Sequence, residues 1–343
     1  MKLSSIGDVV HALPVATALR RHHPQARISW AVEEWVAPLL QGHPAIDRLI
    51  VFPAMRWAGV TPAWARAFAR ALRALRGESY DVSLDLQGLF KSAAVAALSG
   101  AAVRLGVDGQ REGAWLVSRS VPAAPGRRHV VEQYLECAGA LGAAVAPVTF
   151  DLPVQPEAAQ WVERKLAAQA IAPARPLLVI NPSSSARWKT WPVQRWAGAA
   201  AALTADGSVV LVGGRQQTPR HAELARIAGS EILDLTGQTT LPQLVALLAR
   251  CSVHLAPDTG SAHIAAALGR PVVGLYGPTP VWRQAPYGQE PLLAHSGGSC
   301  GTSCPRLCLH GRRCLQAVTP DEMVARVRIL LAADSNDRLG GRS

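Results

Sequence analysis

The chain has 343 residues, 49% apolar and 17% charged, a balance that suits a folded globular protein and excludes a disordered chain. That length predicts two hydrophobic cores of roughly 150 to 170 residues each, and a formal net charge of +11 favours anionic partners, whether nucleic acid, a membrane face or a phosphorylated substrate. No stretch approaches the ~18 uncharged apolar residues of a membrane span, and Met1-Lys2 leads into Gly7-Asp8 rather than a secretory apolar core, so a cytoplasmic protein is expected.

Short β-branched runs alternate with longer amphipathic stretches, the pattern of a parallel sheet covered by helices. The loop Ser4–Asp8 reads as a strand-to-helix connection, yet only three residues precede it where a strand of ~5–6 is usual, so most of a first strand is expected to be missing. Strands are predicted at 27–32, 48–52, 81–86 and 102–106, interleaved with helices near 10–22, 62–77, 88–99 and 129–142. On the second helix Arg66, Arg70, Arg73 and Arg76 fall on one face, which is either an anion-facing surface or a solvated one. Three prolines and little periodicity between Ala144 and Pro156 mark a linker. The pattern then resumes, with buried strands at 177–180, 209–212, 252–255 and 272–275, and Thr319-Pro320-Asp321-Glu322 starts a last helix that should run to about 333 before a frayed tail. The expected organisation is α/β throughout: a doubly wound domain over 1–150, a second over 157–319, and a C-terminal helix and tail over 320–343.

Three loops carry groups suited to chemistry. Asp8 opens a helix, as either a general base or a cap. Pro257–His263 follows a buried strand and opens an Ala-rich helix, where Asp258, Thr259, Gly260 and His263 suit a diphosphate, although His263 also fits a packed core. In Asn181–Pro192 the hydroxyls of Ser184 and Ser185 and the ammonium of Lys189 suit a phosphate, the alternative being a capping loop. Neither half holds a G-x-G-x-x-G fingerprint or a Walker lysine loop, which disfavours a dinucleotide oxidoreductase and a P-loop nucleotidase and leaves nucleotide-sugar transfer. Aromatics are only 5% and no stacking motif is present, so no nucleic-acid partner is expected. Cys300, Cys304, Cys308 and Cys314, with His310 among them, suit zinc or an iron–sulfur cluster; a reduced or disulfide-linked loop is the alternative. Cys137 and Cys251 sit on apolar segments and read as buried packing residues.

At Ser4–Pro14, Asp85–Ser92, Lys189–Pro192 and Asp258–His263 with Tyr276–Thr279, the sequence resembles the glycosyltransferase family 9 heptosyltransferases, and among them the lipopolysaccharide heptosyltransferase I group. The resemblance runs from Lys2 to about Gly288 with its motifs in register. It implies a GT-B fold, two Rossmann-like domains facing across a cleft, with the acceptor on the first and the nucleotide sugar on the second. It also implies inverting transfer of heptose from ADP-L-glycero-D-manno-heptose to Kdo of Kdo-lipid A in lipopolysaccharide inner-core synthesis, with no cofactor required. Asp8 matches the family's base, Lys189 the group that neutralises the departing ADP, and Ser184 and Ser185 its phosphate-contacting threonines. Thr259, Gly260 and His263 match diphosphate contacts, and Asp258 a position near the donor sugar. The arginine helix would then meet lipid A phosphates and Kdo carboxylates, with peripheral attachment to the cytoplasmic face of the inner membrane. Gln216 and Gln217 stand where relatives often place an acid against the ribose. The alternatives are a family 9 transferase with another acceptor or donor, a nucleotide-sugar epimerase, and a non-catalytic protein that binds anionic glycolipid.

Overall fold

The computed structural model describes residues 1–55, 61–184, 186, 189–229, 231–277, 279–295 and 313–340. The chain divides into two compact units, Met1–Pro153 and Val154–Ser343.

The first unit runs α1 (Ile6–His22), β1 (Ser29–Glu33), β2 (Arg48–Phe52), α2 (Pro62–Arg76), β3 (Val82–Asp85), α3 (Phe90–Leu98), β4 (Val103–Gly106), β5 (Arg119–Ser120) and α4 (Val130–Gly139). Strand β1 pairs with β2, and β3, β4 and β5 form a second ladder, all in parallel. Met1–Leu3 bridges the two: the Glu33 N–H donates to the Leu3 carbonyl at 3.0 Å and the Leu86 N–H to that of Met1 at 3.0 Å. The terminal ammonium donates to Leu84 at 2.5 Å, and burial pulls its pKa down to about 6. A cavity of about 530 Å³ lined by Met1, Ala31, Ile50 and Leu84, among others, adjoins this point.

Helix α1 begins four residues earlier than its periodicity predicts, because Ser5 takes the cap position and puts Asp8 inside the first turn. Helix α2 starts where Thr61 accepts from the Trp64 N–H, with Pro62 at its first position. It buries Ala71 and Leu75, with Phe68 and Leu72 beside them, against Ile50 and Phe52. Trp64 Nε1 donates to the Ala54 carbonyl just past the end of β2, while Glu78, beyond the helix, pairs with Arg48 at the start of β2. The helix therefore runs antiparallel to its strand.

The second unit runs α5 (Pro156–Ala168), β6 (Leu177–Ile180), α6 (Val193–Leu203), β7 (Ser208–Leu211), α7 (Thr218–Ala228), β8 (Leu233–Asp234), α8 (Leu241–Arg250), β9 (Val253–Pro257), α9 (Gly260–Ala267), β10 (Val272–Tyr276), α10 (Val281–Gln284), β11 (Ala294–His295), α11 (Arg313–Ala317) and α12 (Pro320–Gly340). Its parallel sheet has the order β11-β10-β9-β6-β7-β8. The chain winds one way from β6 through β7 to β8, then the other way from β9 outward. The strand order thus reverses between β6 and β9, where an open α/β sheet leaves a crevice at its carboxyl ends. Strands β6, β9 and β10 are buried at every residue, which explains their unbroken apolar runs. Helix α12 packs on α6, β9 and β10 and sends Met323, Val324 and Val327 into this core. It continues to Gly340, past Asp334 where a frayed tail was expected.

Candidate active site

The switch point of the second unit gathers most of the residues singled out there. Loop 181–192 leaves β6, and Asp258 and Thr259 follow β9 directly, so α9 starts at the crevice with unpaired N–H groups at its N-terminus. Three side chains converge on the Asp258 carboxylate: Lys189 Nζ at 2.5 Å and Thr279 Oγ1 at 2.6 Å from Oδ2, and His263 Nε2 at 3.8 Å from Oδ1. Burial pushes this carboxyl upward, and His263 and Lys189 more than reverse that, holding it well below the ordinary carboxylate range. Ser184 Oγ donates to the Asp258 backbone carbonyl at 2.7 Å. Thr259 is the residue preceding α9, Gly260 opens that helix, and His263 is buried on it one turn later. Ser185 lies outside the described residues.

Buried hydrogen bonds hold this frame. His254 on β9 bonds the Val179 carbonyl through Nδ1 at 2.8 Å and Ser261 Oγ through Nε2 at 3.0 Å, and Asn181 Nδ2 donates to the same hydroxyl at 3.0 Å. The start of α9 is thereby tied to both β6 and β9. His221 joins Ser183 Oγ at 2.7 Å to Thr236 Oγ1 at 2.8 Å. Burial lowers both imidazoles to about 4, so they are neutral at physiological pH. Thr190 Oγ1 donates to the Pro182 carbonyl and accepts from Trp196 Nε1, which anchors the segment carrying Lys189 to the core. Gln217 uses its amide oxygen to accept the Gly214 N–H at 2.6 Å.

In the first unit Asp8 does cap: Oδ2 accepts from the Ser5 N–H at 3.2 Å and the Ser5 hydroxyl at 2.9 Å. Its side chain is nevertheless 41% exposed, with Oδ1 3.9 Å from the buried Lys2 ammonium. Capping and an open carboxylate face coexist in one residue. Lys2 donates to the Leu86 carbonyl and to the Tyr134 hydroxyl, fixing its charge beneath the loop. Lys91 reaches Ser4 Oγ at 2.9 Å and the buried Glu33 carboxylate at 2.6 Å, bracing the same loop from the other side. Lys2, Glu33 and Lys91 were not singled out as site residues, because nothing in their spacing brings residues 2, 33 and 91 together. The segment Asp85–Ser92 supplies the frame: buried Asp85 accepts from the Gln87 and Gly88 N–H groups and the Ser92 hydroxyl. Gly88 takes φ +64°, and Gln87 Oε1 accepts from the Leu3 N–H.

Arg66, Arg70, Arg73 and Arg76 form one exposed stripe on the face of α2 opposite its packed side. Because α2 runs antiparallel to β2, Arg66 is nearest the carboxyl edge of the sheet, and Arg76 lies about 15 Å further along the axis. Cys300, Cys304, Cys308 and His310 fall outside the described residues. Cys314 is buried at the start of α11. Among the described residues, no group of three or more His, Cys, Asp or Glu is placed to hold a metal ion. Cys137 and Cys251 are buried, and desolvation pushes each thiol up to about 12, so both pack as apolar side chains.

A family model described as glycosyltransferase family 9 (heptosyltransferase) matches residues 68–309. The chain belongs to glycosyltransferase family 9. Among its family 9 relatives, the lipopolysaccharide heptosyltransferase 1 of Pseudomonas aeruginosa is 30% identical over 90% of this chain and 86% of its own length. The lipopolysaccharide core heptosyltransferase OpsX of Haemophilus influenzae is 28% identical over 84% of this chain and 80% of its own. Lipopolysaccharide heptosyltransferase 2 of Escherichia coli is also similar, 29% identical over 80% of this chain and 81% of its own. The solved structure of Escherichia coli heptosyltransferase WaaC with ADP superimposes with a TM-score of 0.76 at 25% identity, covering 96% of this chain and 98% of that one. The family 9 chain is thus a glycosyltransferase with the GT-B fold.

Proposed function

We propose that this glycosyltransferase moves heptose from ADP-L-glycero-D-manno-heptose to a Kdo hydroxyl of Kdo-lipid A during assembly of the lipopolysaccharide inner core, with inversion at the anomeric carbon. The observation that carries the reading is the constellation at the second unit's switch point, where Lys189, Ser184 and the N-terminus of α9 converge beside Asp258. Such a site offers an ammonium, a hydroxyl and aligned N–H groups to a diphosphate. Ser185, Thr259, Gly260 and His263 complete this donor set, and Asp258 orients the donor sugar while sharing Lys189.

In the reaction the acceptor oxygen forms a bond to the anomeric carbon as the bond from that carbon to the ADP oxygen breaks. The electron pair leaves with ADP, whose charge Lys189 offsets. Asp8 takes the acceptor's hydroxyl proton on its open face. No cofactor enters this scheme. The arginines of α2, foremost Arg66, meet the anionic groups of the acceptor. Among the described residues no helix is long and apolar enough to cross a membrane, and the proposed site of action is the cytoplasmic face of the inner membrane by peripheral attachment. A second reading, transfer to a heptose already on the core, is favoured by the similarity to heptosyltransferase 2.

The deciding experiment is ADP release from ADP-heptose with Kdo-lipid A as acceptor. Acceptor-dependent release that is lost in Asp8→Ala supports the proposal. Release only with a heptosylated acceptor favours the second reading, and no release with either acceptor rejects both.

A further inference from the structure

Three of the large apolar side chains exposed among the described residues stand on two neighbouring loops: Phe90 is 64% exposed, Trp115 59% and Leu116 82%. Phe90 opens α3 after β3, while Trp115 and Leu116 lie in a short 3-10 turn, Ala114–Leu116, after β4. The loops are bonded to each other, since the Arg111 N–H donates to the Gly88 carbonyl at 2.8 Å and the Phe90 N–H to Glu112 Oε2 at 3.1 Å. The 3-10 turn also packs directly against α3.

Their position in the fold is specific. Both loops leave the carboxyl ends of parallel strands, and Lys91, the residue after Phe90, reaches the Ser4 hydroxyl in the loop that leads to Asp8. The apolar tips and the Asp8 carboxylate therefore occupy the same edge of the first unit. The loop after β4 also exposes Arg111 alongside the acids Asp108 and Glu112, and Arg119 is exposed where β5 begins beside Leu105 of β4, neither arginine in an ion pair among the described residues. Helix α2, which packs beside α3, brings Arg66 toward this edge, again with no acidic partner among the described residues.

We propose that Phe90, Trp115 and Leu116, flanked by Arg111, Arg119 and Arg66, form a docking surface for an anionic lipid bilayer. Aromatic and aliphatic tips seat at the boundary between headgroups and acyl chains, and guanidinium groups meet the lipid phosphates, a combination that holds a protein on a membrane without spanning it. The inference rests on the lipid-linked acceptor proposed above: such an acceptor holds its sugar just above the headgroups, so the edge that carries the base must approach the bilayer.

The test uses the full-length protein, without donor or acceptor, sedimented with vesicles of phosphatidylcholine alone or mixed with phosphatidylglycerol. Binding to the mixed vesicles and little to the neutral ones is expected. A Phe90→Ser/Trp115→Ser/Leu116→Ser variant should bind the mixed vesicles at least ~10-fold more weakly, and Arg111→Gln/Arg119→Gln should bind less and lose its salt dependence. Trp282→Ser, which removes an exposed tryptophan in the second unit, should bind as the wild type does. If the triple variant melts early, Leu116→Ser alone, at the most exposed of the three positions, carries the test. With a deacylated, water-soluble acceptor the triple variant should turn over within ~2-fold of wild type, while its KM for acceptor embedded in vesicles rises.

Absence of wild-type binding to the anionic vesicles, or unchanged binding by the triple variant, overturns the proposal. An equal loss with the soluble acceptor also overturns it, because the three side chains would then contact the acceptor itself. Vesicle binding without any heptose transfer would instead count against the proposed reaction and leave the docking surface standing.

Discussion

Asp8 closes the first turn of α1, and its proposed role as the base can be separated from that cap by substitution. Asn keeps an acceptor oxygen for the Ser5 N–H and hydroxyl but cannot take a proton. Asp8→Asn should therefore melt within about 1 kcal/mol of the wild type while ADP release falls by ~10²–10⁴-fold. Equal losses of stability and rate would make Asp8 a cap and nothing more. Lys189 presents the opposite case, since its removal takes the ammonium from a mostly buried carboxylate and leaves it, among the described residues, only Thr279 and His263. Lys189→Met should cost about 3 kcal/mol at neutral pH, read by denaturant unfolding. The Asp258 carboxyl is held below its ordinary range in the folded protein. Its contribution to stability is thus present above the unfolded value near ~4 and lost as pH falls through the folded one. With Lys189 gone that depression shrinks, so the variant should lose less stability than the wild type between about pH 5 and pH 3.

At the scale of elements, the second unit is tied together by imidazoles that must stay neutral. His221 and His254 bind protons in the unfolded chain from about 6.5 downward, but in the fold only near 4. The unfolded state therefore holds more protons across that window, and stability falls as pH drops from 6.5 to 4. His221→Gln should flatten this part of the melting-temperature profile; an unchanged slope would show that the imidazole titrates normally. The Lys189 segment depends equally on its anchor. Trp196 is fully buried and its indole N–H holds Thr190, so Trp196→Ala should cost ~3–5 kcal/mol in urea unfolding.

The strands and helices of both units were legible because their apolar periods are long and regular. The two-residue strands β5, β8 and β11 were not, since so few residues carry no period. The start of α1 was misjudged for a related reason. Ser4–Asp8 has the composition of a loop, and the Asp8 side chain that closes the first turn looks the same whether it caps or waits for substrate.

For the whole molecule, the reversal of strand order between β6 and β9 sets where the proposed donor site lies. The excess of positive charge acts at longer range. With a net charge of +11 and a proposed acceptor carrying several anionic groups, raising ionic strength should increase the KM for Kdo-lipid A more steeply than that for ADP-heptose. Equal salt dependence of the two constants would argue against an electrostatic role for the exposed arginines.

Ser184, Lys189, Asp258 and His263, which the structure brings together in the second unit, could be picked out from sequence as candidates because each lies within a few positions of a strand end, where parallel sheets bind ligands. The resemblance to family 9 rests on those short motifs together with Ser4–Pro14 and Asp85–Ser92 of the first unit, all in register. Tertiary structure alone decided the rest. It set Lys2 beneath Asp8, joined Lys91 to Glu33 across 58 residues, and brought Phe90 beside Trp115 and Leu116. It also showed that the arginine stripe runs down α2 away from the sheet's carboxyl edge. The physical reason is common to all four: spacing along the chain determines which residues share a face of one element, but which elements become neighbours is settled by burying their apolar faces together.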